Sequence, residues 1–120
     1  QISPLRSALT SGIIFSNHNE SYVTPIGPLL SVWSSVNRIT GGGKVLGEAQ
    51  RIPVLEALRS VTNWAEYQAS EEHIKGSLEP GKLADMVVLE QNPLAVAPEA
   101  IRDIGIVATI VGGREVYGSL

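Results

Sequence analysis

The side chains able to do chemistry are most concentrated in the polar stretch Ser16–Pro25, SNHNESYVTP, which follows the apolar run Ile13-Ile14-Phe15. Glu20 offers a carboxylate, a group that can ligate a divalent metal or take a proton as a general base. His18, two residues earlier, is the nearest second candidate ligand. Together they do not complete a metal centre. A hydrolytic zinc site takes about three protein ligands and keeps one position open, whereas this chain has 2 histidines and no cysteine. The other histidine, His73, lies among Glu71, Glu72 and Lys75, a charged connection in which an exposed imidazole is expected. Asn19-Glu20-Ser21 has the form of a glycosylation acceptor, but nothing in the sequence argues for the secreted setting in which that form has meaning.

Thr40-Gly41-Gly42-Gly43-Lys44 invites comparison with a phosphate-binding loop. The pattern fails, because Val45 stands where a magnesium-binding Ser or Thr should follow the Lys, and no Gly lies five residues before Gly43. A mobile loop is the expectation there.

The elements that must position these groups follow from pattern. Ile13-Ile14-Phe15 reads as a short buried strand, bounded by Gly12 and the polar stretch. Pro28 suits a first helical turn and opens a helix over Leu29–Arg38, with Leu29, Val32, Trp33 and Val36 on one face. Arg38 closes it, where a cation complements the helix dipole. After the glycine loop, Val54–Ala69 is the longest helical segment, with Leu55, Leu58, Val61 or Thr62, Ala65 and Ala69 as its apolar stripe and Trp64 and Tyr67 as packing area. Pro98–Ile101 suggests one short helical turn. Ile104–Val111 and Arg114–Tyr117 read as strands joined by Gly112-Gly113, a hairpin turn signal.

Composition limits the classes of function. With 120 residues, 43% of them hydrophobic, the chain can bury one core and make at most one domain. Its 9 basic and 12 acidic residues give a formal charge of −3, without the basic patch that nucleic acid requires. No apolar run approaches the roughly eighteen residues of a membrane span, and the first residues of this sequence do not follow a charged-then-apolar pattern. Neither nucleic acid nor a membrane is therefore an expected partner. The lack of cysteine is compatible with a reducing compartment and favours the cytoplasm without fixing the location.

Lys75–Leu89, KGSLEPGKLADMVVL, joins a turn to a strand. Glu79-Pro80-Gly81-Lys82 places Pro and Gly where a type II turn uses them. Met86–Leu89 is a β-branched apolar run expected to be covered on both faces, and Asp85 at its entrance is expected to accept backbone N–H groups of the turn. Gly76, Leu78, Gly81, Lys82, Ala84 and Asp85 resemble, in register, the C-terminal signature of the metal-dependent amidohydrolases. The signature marks a structural crossover and carries no chemistry itself. The resemblance extends over most of the chain: Glu56-Ala57-Leu58 and Thr62–Ala65 are similar to the family's helix before the crossover. Thr109, Gly113, Arg114, Val116 and Tyr117 are similar to its closing hairpin.

The resemblance implies an α/β fold, namely the C-terminal fragment of a (β/α)8 TIM-type barrel followed by part of a small β-sandwich. Residues 1–73 would be the last barrel strand and its helices, and 74–120 the C-terminal part of the sandwich. The start at Gln1 and the place of the signature near the end of the family's chains fit a fragment. The subgroup most resembled, which includes N-substituted formamide deformylases, carries Gly-Ser-Asp or His-Asn-Asp where this chain has His18-Asn19-Glu20. Its Asp binds the metal or moves a proton from water to the leaving amine, so Glu20 is the implied catalytic and metal residue. Glu keeps the carboxylate and adds about 1.5 Å of reach. Family members with Gly at the position of His18 keep their metal site, so His18 is expected to be a hydrogen-bonding loop residue. The implied activity is hydrolysis of C–N bonds in small amide-type substrates with a divalent metal, zinc first. The family's His-x-His pair, mid-barrel Lys or Glu and two further His have no counterpart here. The chain alone is thus expected to be inactive, to bind no metal, and to pair with the remaining N-terminal part of the enzyme or with itself. The alternative is a non-catalytic interaction module or degenerate remnant.

Overall fold

The computed structural model describes residues 3–120. Among these residues, four short helices precede a small sheet: α1 (Leu5–Thr10), α2 (Pro28–Asn37), α3 (Val54–Ser60) and α4 (Asn63–Gln68), then β1 (Met86–Leu89), β2 (Ile106–Val111) and β3 (Arg114–Gly118). Two 3₁₀ segments, Glu48–Gln50 and Pro98–Asp103, lie between them. No helix among the described residues is long and apolar enough to cross a membrane.

The core forms around α2. Pro28 occupies its first turn and Arg38 ends it in the left-handed region at φ 58°. Val32 and Trp33 are buried with Ile52, Ala57 and Ile101, and Leu29 and Val36 pack against that cluster, so the apolar face expected for this helix is the buried one. Ile101 reaches the cluster from the 3₁₀ segment Pro98–Asp103, which lies across α2. Polar bonds fix the crossing. The Trp33 indole N–H donates to the Glu99 carbonyl at 2.9 Å, and Asn37 Nδ2 donates to the Pro98 carbonyl at 2.9 Å. The Arg102 guanidinium covers the Trp33 ring at 4.5 Å. Residues from both sides of the crossover therefore share one core.

The sheet is antiparallel in the order β1-β2-β3, with Val88 opposite Ala108 and Thr109 opposite Tyr117. Gly112 and Gly113 at the β2–β3 turn both have positive φ, at 57° and 80°, which a two-residue hairpin of matching twist demands. Met86–Leu89 is a strand with the expected bounds, but it is covered on one side only, since Val87 remains 49% exposed. The turn before it forms as expected, with the Lys82 N–H donating to the Glu79 carbonyl and Gly81 at φ 93°. Asp85 accepts instead from the other turn: its carboxylate takes the Gly112 N–H at 2.7 Å and ties the crossover to the hairpin.

Two expected elements are corrected as well. Ile13-Ile14-Phe15 is not a buried strand: it has no regular structure, and Ile13 and Ile14 are 57% and 45% exposed. A lone strand has no partner for its backbone groups, and here the Ile13 N–H turns back to the Ala8 carbonyl while Phe15 packs edge-on to Trp64 at 5.5 Å. Val54–Ala69 is not one helix. It breaks at Val61-Thr62, where Thr62 has φ −128° and ψ −110°, and the Thr62 hydroxyl donates to the Leu58 carbonyl at 2.8 Å, a local bond that competes with the helical ladder. The stripe shifts accordingly: Ala57 and Ser60 are buried, whereas Leu55 is exposed.

Candidate functional site

The stretch after Phe15 is held by two asparagines, Asn17 and Asn19. Asn17 Nδ2 donates to Ser35 Oγ at 2.9 Å and to Ser60 Oγ at 3.2 Å, and its N–H donates to the Ser60 carbonyl. Asn19 Oδ1 accepts from Ser31 Oγ at 2.9 Å and from the Gly27 N–H at 3.3 Å. Ser31, Ser35 and Ser60 are all buried. The hydroxyls of Ser35 and Ser60 are satisfied in turn by the carbonyls of Ser31 and Ala57. Buried polar groups persist when they are paired, and each of the three serine hydroxyls is paired. The helix break at Val61-Thr62 falls beside it, immediately after the Ser60 carbonyl that accepts the Asn17 N–H.

Alternate residues face outward. His18 and Glu20 are exposed, with His18 Nδ1 3.9 Å from Glu20 Oε2. Just beyond, the Glu20 carbonyl accepts the N–H groups of Val23 and Thr24 at 2.9 and 2.8 Å, closing a turn. His18, Glu20 and Thr24 line an open cleft of about 280 Å³ whose other walls include Ser34 and Arg38. A neighbouring cleft of about 520 Å³ shares Asn19, Thr24 and Ser34 and is floored by Leu30, Trp33 and Ile39. Arg38 is a clamp as well as a helix end: its guanidinium donates to the carbonyls of Leu46 and Ser3.

The carboxylate of Glu20 can accept a proton and reach a molecule in the cleft. A metal needs more. No group of three or more His, Cys, Asp or Glu residues that could hold an ion occurs among the described residues, and His18 with Glu20 supplies two ligating side chains. A self-contained metal centre therefore does not fit these residues. His73 is exposed, as expected, within a charged group in which Lys75 contacts Glu66 at 3.5 Å and Glu71 at 2.8 Å. The Lys75 hydrogen bond holds the Glu71 carboxyl below its ordinary range, and the same bond raises Lys75. The glycine loop at 41–43 has no phosphate-loop setting: it is an exposed turn beside the Ile39–Val45 bridge, and no helix starts from it.

Signature residues of the crossover serve structure. Lys82 Nζ donates to Ser77 Oγ and to the Glu72 carbonyl, each at 2.6 Å, and pairs with Glu79. Gly76, at φ 92°, has no room for a side chain, because a Cβ would stand 2.6 Å from Glu66 Cγ. The asparagine and serine set was missed in the sequence. Its signal was present as Asn at alternate positions 17 and 19 facing Ser at helical spacing 31 and 35, hidden because apolar residues define helix faces more visibly.

A sequence model described as the amidohydrolase family matches residues 1–117. The Bacillus subtilis (strain 168) protein named "Putative amidohydrolase YtcJ" is 27% identical over 115 residues, covering 93% of this chain and 22% of the relative. The N-substituted formamide deformylase of Arthrobacter pascens is 28% identical over 113 residues, 94% of this chain and 21% of the relative. Protein LONG AFTER FAR-RED 3 of Arabidopsis thaliana is 33% identical over 115 residues, 93% of this chain and 19% of the relative. The chain spans about a fifth of the length of these curated relatives. No solved structure gives a significant match.

Proposed function

The chain belongs to the amidohydrolase family, and from that premise we propose that it is the C-terminal part of a longer metal-dependent hydrolase that cleaves C–N bonds of amide-type substrates. The family match over residues 1–117 carries this reading. The name of the Arthrobacter pascens relative makes N-substituted formamides the first substrates to try. In the longer protein the segment before Ser16 would be the last strand of a (β/α)8 barrel, whose active site opens at the C-terminal ends of its strands. The sheet from β1 onward would be part of a β-sandwich. The edges of β1 and β3, open among the described residues, support a sheet completed by other strands.

The roles of this chain's own residues are limited and specific. Glu20 takes a proton from the water that attacks the carbonyl carbon and delivers it to the amine nitrogen as the C–N bond breaks, leaving a carboxylic acid and an amine. The cleft beside it admits the substrate. A divalent metal, zinc first, would supply polarisation of the carbonyl, held chiefly by ligands from the rest of the protein, because the described residues bring no three His, Cys, Asp or Glu side chains together.

The test is hydrolysis of an N-substituted formamide by the longer protein and by residues 1–120 alone. The longer protein should turn over and lose activity with a chelator, and the short chain should show none. Chelator-sensitive turnover by the short chain after repurification, or no turnover by the metal-loaded longer protein on any amide, overturns the proposal.

A further inference from the structure

We propose that Asn19 is the positioning residue for Glu20, and that the Asn17/Asn19 set against Ser31, Ser35 and Ser60 fixes the register of the loop that carries it. The inference rests on the reading of Glu20 as the proton carrier. Asn17 and Asn19, two residues apart, meet hydroxyls that stand one helical turn apart on α2, Ser35 and Ser31. Residues i and i+4 share a helix face, so the helix offers two hydroxyls in one line and the loop offers every second side chain to them. His18 and Glu20 are then turned to the cleft. A slip of one residue would exchange the two sets and put the Glu20 carboxylate among buried serines, where a charge without a partner is costly.

Asn19 has the closer hold. Its Oδ1 accepts both the Ser31 hydroxyl and the Gly27 N–H, so one atom joins the residue before Glu20 to the N-terminal end of α2. On the other side, the Glu20 carbonyl is fixed by the N–H groups of Val23 and Thr24. Only acceptor capacity is asked of Asn19 Oδ1. Aspartate supplies the same acceptor, and at a helix N-terminus its charge is tolerated; leucine has similar size and supplies none.

The experiment compares Asn19→Leu and Asn19→Asp in the longer protein, alone and with Glu20→Gln, with an N-substituted formamide as probe. Asn19→Leu should lower kcat about tenfold to a hundredfold, the scale of a misplacement near 1 Å, with KM little changed. Asn19→Asp should restore most of it. With Glu20→Gln already present, Asn19→Leu should cost nothing more, because it acts through Glu20. An equal further loss in that background, or a wild-type kcat for Asn19→Leu, overturns the inference while leaving the role of Glu20 intact. If Glu20→Gln alone matches wild type, the catalytic reading fails, and the positioning role falls with it. Amide exchange at Gly27 then decides the register claim by itself: faster exchange in Asn19→Leu and not in Asn19→Asp supports it, and unchanged exchange in both overturns it.

Discussion

The helical region around α2 and the sheet β1–β3 satisfy themselves to different degrees. Around α2, Val32, Ala57 and Ile101 are fully buried, and the buried serines are all paired within the chain. In the sheet, Ala108 is the only fully buried strand residue among those described, and Val87, Val111, Val116 and Tyr117 are 49%, 52%, 61% and 62% exposed. Among the described residues, the sheet's outer strands also leave unpaired edges. The loop bearing Glu20 is thus anchored by residues the chain itself supplies, whereas the sheet presents apolar surface that asks for cover.

Truncation should expose this contrast most strongly in the helical core. Trp33→Ala removes a buried ring together with its bond to Glu99 and its contact with Arg102. It should cost about 3–5 kcal/mol, read as a lower denaturant midpoint. Val116→Ala, on an exposed strand, should stay within about 0.5 kcal/mol. Equal effects at the two sites would erase the distinction between the regions.

Association should be the sheet's own signature. Residues 1–120 alone are expected to self-associate through exposed apolar strands and open edges, with light scattering showing a mass that rises with concentration. Lysine substitutions at Val87 and Val116 should reduce it. A clean monomer over a wide concentration range, unfolding cooperatively, would place the unsatisfied surface elsewhere.

Titration sharpens the comparison least, through the surface group before the crossover. Glu71 is depressed in the fold by Lys75, so its contribution is present above the unfolded carboxyl value and is lost as pH falls through the lower folded one. Lys75 is raised, so its contribution is present below the unfolded amine value and is lost as pH rises through the higher folded one. Lys75→Met should therefore flatten stability against pH slightly at both extremes and leave the neutral range nearly level. A changed slope near neutrality would point to a different titrating group.

Legibility in the sequence followed the same division of causes. Local chemistry identified the Glu79–Lys82 turn, β1, the Gly112-Gly113 hairpin and α2, because Pro, Gly and β-branched residues act on their own backbone. What depends on other residues was harder to read. Ile13-Ile14-Phe15 has strand composition but no partner among the described residues, and Val54–Ala69 has helical spacing interrupted by two successive β-branched residues and a competing Thr62 hydroxyl. The hydrogen bonds of Asn17 and Asn19 span up to 43 residues, beyond the reach of any short window. Glu20 is singled out by the family resemblance alone, and it stands on an exposed loop beside a cleft.

The most direct measurement is kcat of the longer protein with Glu20, Glu20→Gln and Glu20→Asp, at matched metal loading, on an N-substituted formamide. The account predicts that Glu20→Gln lowers kcat by about a hundredfold to ten-thousandfold, to a small residual rate, because an amide cannot take the proton from water. Glu20→Asp should keep or raise activity, since the side chain shortened by about 1.5 Å restores the reach that the resembled family uses. Equal rates for Glu20 and Glu20→Gln would contradict the account and reduce Glu20 to a polar residue on an exposed loop.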